Sequence, residues 1–404
     1  MRIMSEAPRD PWLTIVGIGE DGIAGLSEAA RSALAEAEVV TGAARHLGLL
    51  PALSAETRTW PVPFGSGVAE LMALKGRKVV MLASGDPFWF GAGSVVTGGL
   101  DPAEWIAHPA PSTFALAAAR LGWPVETTLC LGLHAAPLAH LRPHLAPGQR
   151  ALVLLRDGAA VQALAHYVTG EGFGASRLTV LEALGGPRER VRIASAFSFD
   201  LEDVAHPVAV GLSCAGEGEV VTCASGRDDR WFESDGQITK RPVRALALSA
   251  LAPRPGELLW DIGTGSGSIA IEWLLAHRDM RAVAFEGDPV RAARARANAA
   301  ALGADRLHVV DGMVPAALEN RPAPDAVFVG GGLDAALLER LGHLSAGTRI
   351  VAHAVTLETE ALLAKAHVEI GGTLLRVELA QAAPLGSRRG WKAHYPIVQW
   401  SVTL

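Results

Sequence analysis

Cysteine is scarce: Cys130, Cys214 and Cys223 are the whole complement of 404 residues. Three thiols build no disulfide framework and their spacing matches no zinc motif, so the apolar core must hold the fold and no metal is expected. Long apolar runs are missing too. The charge-free stretches Pro87–Leu100 and Trp105–Ala119 fall short of a membrane span and contain proline and glycine. The opening MRIMSEAPRDPW lacks the apolar segment of a secretory signal, so a soluble cytoplasmic protein with reduced thiols is expected. Positive charge is not in surplus either. Lys and Arg number 36 against 42 Asp and Glu, a net −6, which offers nucleic acid no broad basic surface. An anionic small molecule would need a local patch of cations.

What is abundant points to a globular chain. Hydrophobic residues make up 50% and charged residues 19%, with 44 Gly and 24 Pro to punctuate helices with tight turns. A chain of 404 residues exceeds one ordinary core, so two domains are expected. The first half reads as strands at 13–17, 78–83, 125–131, 151–155, 177–181, 190–194 and 208–212, with helices over 27–37, 113–121 and 159–167. Residues 215–234 are polar, Gly-rich and aperiodic, and read as a linker between domains 1–214 and 235–404. The second half alternates strands at 258–262, 282–286, 307–310, 326–329 and 349–352 with helices, then ends in strands over 368–379 and 397–403. Parallel βα units closed by an antiparallel pair describe a doubly wound sheet.

In such a sheet a ligand belongs at the first strand-to-helix turn. Here that turn is DIGTGSGS, with Asp261, Gly263, Thr264, Gly265, Ser266 and Gly267. A dinucleotide fingerprint wants a third glycine where this chain has Ser268, which argues against an NAD-dependent oxidoreductase. The spacing suits S-adenosylmethionine, whose ammonium needs a nearby carboxylate. Glu286, ending the next strand, stands where an acid would hold the ribose hydroxyls, and Gly312, Met313 and Val314 follow the third strand, where adenine should lie. The first half has its own strand-to-glycine turn, LTIVGIGEDG, and a Gly85-Asp86-Pro87 turn after a strand. By itself that acid reads as a turn cap.

Taken together, LTIVGIGEDGIAGLSEAARSALAEAEVVTGAARHL, SGDPFWFGAGS and PAPSTFALAAARLGWP resemble the tetrapyrrole methylases. DGQITKRPVRALALSAL, DIGTGSGSIAIEW and IVAHAVTLET resemble the decarboxylating corrinoid methyltransferases. The resemblance implies a tetrapyrrole methylase fold (class III methyltransferase) followed by a Rossmann-like class I methyltransferase, with one S-adenosylmethionine site in each. It implies methylation of precorrin-6B at meso carbons 5 and 15 with loss of a ring acetate, giving precorrin-8X in aerobic cobalamin biosynthesis. It places cofactor contacts at Gly17, Gly85, Asp86, Pro87, Ser112 and Thr113, and at Thr239, Gly263 to Gly267, Glu286 and Gly312 to Val314. The chain departs from the pattern where Asp311 precedes Gly312, at His134-Ala135-Ala136, which lacks an expected Arg, and at His353, where Asn is common.

Methyl transfer to an electron-rich carbon needs alignment more than a base, so no catalytic triad is expected and none is found. His140 and His144 flank Pro143 without an acid beside them, a poor metal pair. The substrate's carboxylates call for cations, and the candidates are Lys240, Arg241, Arg244, Arg388, Arg389 and Lys392, with Trp391 either on the macrocycle's face or in a loop core. Arg291, Arg294 and Arg296 read as a solvated helix face. The expected partner is an anionic precorrin, with neither nucleic acid nor membrane, and a homo-oligomer is expected. Rival readings are a methyltransferase for another substrate and a corrinoid carrier without catalysis.

Overall fold

The structure, a computed structural model, describes residues 11–404; the opening Met1–Asp10, read above for a leader, lies outside them. Contacts divide the chain into two units. One holds the residues up to Ala136 with Leu145–Glu219; the other holds Pro137–His144 with Val220–Leu404.

The first unit contains two sheets. β1 (Leu13–Ile18), β2 (Val39–Gly42), β3 (Glu56–Thr59), β4 (Val79–Ser84) and β5 (Trp105–His108) form a parallel sheet in the order β3-β2-β4-β1-β5. Both faces of β1 are covered, which is why its sequence, LTIVGI, is apolar apart from Thr14 instead of alternating. Leu13 and Ile15 point into one core with Leu71 and Met81, while Val16 and Ile18 point into another with Leu26 and Leu34. β6 (Leu129–Gly132), β7 (Arg150–Leu155), β8 (Arg177–Glu182), β9 (Arg190–Ser195) and β10 (Val208–Ser213) form a mixed sheet in the order β6-β7-β10-β8-β9. Helix Thr113–Leu121 packs Phe114 and Ala117 against Leu152, Leu181 and Ala209 of that sheet.

The second unit is the expected doubly wound sheet. β11 (Leu258–Ile262), β12 (Arg281–Glu286), β13 (His308–Asp311), β14 (Ala326–Val329) and β15 (Arg349–Ala354) run parallel. β16 (Thr373–Val377) and β19 (Ile397–Thr403) complete the order β13-β12-β11-β14-β15-β19-β16, with β19 antiparallel to both neighbours. Helices Arg241–Leu251, Ser268–Ala276 and Pro289–Ala301 cover one face, and Ala335–Gly342 and Leu357–Ile370 the other. β17 (Ala380–Leu385) and β18 (Arg388–Ala393) form a separate antiparallel hairpin.

Several expectations differ from the structure. β2, β3 and β5 were not anticipated; each has four residues, and β3 is exposed throughout, so it carries no apolar signal. Val368–Ile370, expected to begin a strand, end helix Leu357–Ile370, and extended structure resumes only after Gly371-Gly372. Residues 125–127 form a 3₁₀ turn ahead of β6. The expected linker is anchored at a few points, although much of it is exposed. Val221 and Phe232 are buried in the core of the second unit, and the Gly226 and Arg227 N–H groups donate to Glu272. His140 and Arg142 reach the same unit, His140 Nε2 lying 2.5 Å from Asp305 Oδ1 and the Arg142 guanidinium 4.7 Å above the Trp231 ring. Among the described residues no helix is long and apolar enough to cross a membrane.

Candidate functional sites

β11 lies where the strand order reverses, with β12 on one side and β14 on the other. A cleft of about 930 Å³ opens at its carboxyl end. Asp261, Gly263, Thr264, Gly265, Ser266, Glu286, Gly312, Met313 and Val314 all line it, as do Thr239 and Lys240. Gly265 has φ +57°, and a Cβ there would meet only the Gln237 carbonyl oxygen, at 3.8 Å, so glycine is kept for the backbone angle and leaves the turn unstrained and close to whatever fills the cleft. Gly267 does not line the cleft; it caps helix Ser268–Ala276 and packs against Ala295.

The two acids of the turn have different surroundings. Asp261 is 1% exposed. Its Oδ2 accepts from Thr264 Oγ1 at 2.6 Å and from the Ala270 N–H at 3.2 Å, while its Oδ1 is buried without a donor. Burial, opposed by those two hydrogen bonds and reinforced by Glu286, pushes its carboxyl up to about 6. An unpaired acceptor on an acid lining the cleft fits a cationic group, as an amino-acid ammonium would be. Glu286 Oε2 accepts from the Gly265 N–H at 2.8 Å and Oε1 from the Asp288 N–H at 3.1 Å, so this acid ties the strand end to the turn. Asp311 pairs with Arg296 at 2.8 Å.

Sequence reasoning missed Gly330 to Gly332, which line the cleft after β14; the run of three glycines was the available signal. His353 also lines it. Its Nε2 lies 3.0 Å from Gln399 Oε1, its ring stands edge-on to Phe328, and burial lowers its pKa, leaving it neutral.

The candidate substrate cations scatter. Lys240 faces the cleft, but Arg241 is absent from its lining and stands 4.0 Å from Asp228. Arg244 is withdrawn altogether: it is 0% exposed, its Nε donates to Glu272 at 2.6 Å, and its Nη2 meets Asp229 at 3.0 Å. Its helical spacing put it on the inner face of Arg241–Leu251, where Glu272 neutralises it. Arg388, Arg389 and Lys392 sit on β18 and line neither cleft described here. Trp391 on the same strand is 80% exposed, which rules out a loop core. Arg291 and Arg294 are not merely solvated, since both pair with Asp235, at 2.8 and 3.4 Å.

In the first unit a second cleft, of about 590 Å³, lies where β4 ends. Gly85, Asp86, Ser112 and Thr113 line it, whereas Gly17 and Pro87 do not. Gly17 serves a close approach instead, because a Cβ there would overlap the Gly85 carbonyl oxygen. Asp86 Oδ1 accepts from the Phe88 N–H at 2.9 Å and Ser112 Oγ from the Ala115 N–H at 3.1 Å, so both side chains first stabilise their own turns. Arg45, His46, Trp89, Phe90 and His206 line this cleft as well and were not singled out from the sequence.

Comparison with known proteins matches both halves. Residues 12–200 match the family of tetrapyrrole (corrin/porphyrin) methylases and residues 230–404 the precorrin methyltransferase domain. A Sinorhizobium protein named precorrin-6Y C(5,15)-methyltransferase [decarboxylating] is 49% identical over 97% of this chain and 96% of its own. A protein of the same name from Mycobacterium tuberculosis is 41% identical over 97% of this chain and 99% of its own. A shorter Pyrobaculum calidifontis protein, named probable cobalt-precorrin-6B C(15)-methyltransferase (decarboxylating), is 37% identical over 174 residues, 41% of this chain and 87% of its own. With both modules matched in order and relatives aligned along almost the full length, the chain belongs to the precorrin-6Y C(5,15)-methyltransferase (decarboxylating) family.

Proposed function

We propose that this chain methylates precorrin-6B at carbons 5 and 15 and removes the ring-C acetate as carbon dioxide, giving precorrin-8X in aerobic cobalamin biosynthesis. The observation that carries this reading is the presence of two clefts in one chain, each where a parallel strand runs into a glycine turn. Two clefts answer to two methyl transfers. We assign one S-adenosylmethionine site to each, the decarboxylation and one methylation to the second unit, and the other methylation to the first. The name of the short Pyrobaculum relative supports that division, since it joins decarboxylation to C(15) methylation in a match of 174 residues, the size of the second family match.

S-adenosylmethionine, when bound, supplies an electrophilic sulfonium methyl. The chain's part is to hold and orient. In the second unit Asp261 takes the ammonium on its unpaired oxygen, Glu286 the ribose hydroxyls, and the Gly312–Val314 turn the adenine. Lys240 faces the same cleft and holds a peripheral carboxylate of the macrocycle. A carboxylate that does not react keeps its charge throughout, so holding it binds ground and transition state alike and orients the macrocycle, whereas a cation on the departing carboxylate would stabilise the ground state. In the first unit the turn at Gly85 and Asp86, with Ser112 and Thr113, forms the cofactor side. The three free cysteines fit a reducing compartment, and we place the enzyme in the cytoplasm.

The test is mass spectrometry of precorrin-6B after incubation with the purified chain and S-adenosylmethionine. Two methyl gains and the loss of one carbon dioxide are expected. A product with methyl groups but its acetate intact would overturn the reading.

A further inference from the structure

The cleft of the first unit carries ionisable groups that neither glycine turn nor methyl donor requires. Arg45 donates to Glu20, to Ser84 Oγ at 2.8 Å, and lies 2.9 Å from His46 Nε2. Arg188 donates to the other oxygen of Glu20 at 2.7 Å. Two guanidiniums share one carboxylate, which leaves this cluster one positive charge in excess. Both residues line the cleft, but the Glu20 side chain is 5% exposed and that of Arg45 26%, so the guanidinium presents more of itself to the cleft than the acid does.

The neighbouring histidines do not add to that charge. Burial, then the charge of Arg45, lowers His46 to about 4, and the same two causes lower His206. Both are neutral near pH 7, each shaped by a positive field that an incoming anion would relieve. Arg156 lines the cleft too but pairs with Asp157 at 2.9 Å, and Asp86 belongs to the glycine turn. Beside this cluster the cleft exposes aromatic surface. Phe64 is 38%, Trp89 37% and Phe90 52% exposed, and all three line it. Uncovered rings beside a fixed guanidinium match a flat apolar ligand with carboxylates on its rim.

We infer that Arg45, braced by Glu20 and Ser84, forms a carboxylate subsite for the rim of the tetrapyrrole in the first unit, with Trp89 and Phe90 against the ring face. The inference rests on the reading that this unit methylates the tetrapyrrole. The amino-acid end of the cofactor is the other carboxylate that could reach such a site, and the experiment separates the two.

Full-length wild type, Arg45→Gln and Arg45→Lys are given graded precorrin-6B with excess S-adenosylmethionine. Methyl groups are counted by mass spectrometry, carbon dioxide is measured in the same samples, and S-adenosylhomocysteine affinity is measured by calorimetry. Losing a charge-assisted hydrogen bond should raise the KM of the first unit's methylation about ten- to hundredfold in Arg45→Gln. Its kcat should stay within about threefold, cofactor affinity should be unchanged, and Arg45→Lys should fall between the two. Should Arg45→Gln fail to fold because Glu20 has lost a partner, a KM increase in Arg45→Lys decides the matter. An unchanged KM overturns the inference, as does a loss of cofactor affinity with KM intact, which would give the subsite to the cofactor. A wild type that adds only one methyl instead removes the reading of the first unit, and this inference with it.

Discussion

At the scale of single residues the second unit's cleft turns on the cost of burying Asp261. Its native carboxyl holds a proton up to about pH 6, against 3.8 for the ordinary group. Between those values the native state binds more protons than the unfolded chain, so stability falls as pH rises through the window from about 4 to 6. A shift of about two units corresponds to roughly 3 kcal/mol, fully lost above pH 6. Asp261→Asn keeps an acceptor for Thr264 and Ala270 without the charge. It should therefore be more stable than wild type near pH 7, flat across pH 4 to 6, and weak in cofactor binding. Urea midpoints measured from pH 4 to 7 without cofactor check this, and parallel curves for the two proteins would refute it. The sequence placed Asp261 beside the glycines but gave no hint of the orphaned oxygen, which depends on Thr264 and the Ala270 N–H folding onto the other one. It likewise offered Arg244 as a substrate cation, because a burying partner 28 residues away leaves no local trace.

That partner sets the terms at the scale of elements. Glu272, on helix Ser268–Ala276, takes the Arg244 Nε, the Gly226 N–H at 2.7 Å and the Arg227 N–H at 2.9 Å. One buried carboxylate thus fastens helix Arg241–Leu251 and the segment before it to the helix that leaves the glycine turn. Removing it in Glu272→Ala strands Arg244 at 0% exposure beside Arg227, whose own pKa burial already lowers. The expected cost is about 3–5 kcal/mol, read from denaturant unfolding, because an uncompensated buried charge outweighs the lost packing. A cost below about 1 kcal/mol would show that Asp229 alone suffices for Arg244. Strong periodicity made these helices and strands β11 to β15 legible in the sequence. β3, four exposed residues at a sheet edge, and the hairpin β17–β18, which exposes Leu385 and Trp391, had no burial pattern to read. On that hairpin Arg388→Ala with Arg389→Ala should leave S-adenosylhomocysteine affinity unchanged, since neither side chain lines either of the two cofactor clefts proposed above.

For the whole molecule, two modules in order were legible because each runs its first strand into a glycine turn, a local signal repeated about 245 residues apart. The boundary between them was not, because two isolated apolar residues in a polar stretch, Val221 and Phe232, decide which core it joins. The consequence of two modules is stoichiometric. We expect the intact chain to bind two equivalents of S-adenosylhomocysteine by calorimetry. Gly265→Trp should remove one of them: at φ +57° a side chain is strained, and an indole there would occupy the cleft that Asp261 and Glu286 line. The remaining equivalent should keep its wild-type affinity, because the first unit's cleft is lined by residues of its own. With precorrin-6B the variant should release no carbon dioxide. A single equivalent in wild type would overturn the assignment of one cofactor to each unit, and carbon dioxide still released by Gly265→Trp would mean that the second unit's cleft does not house the decarboxylation.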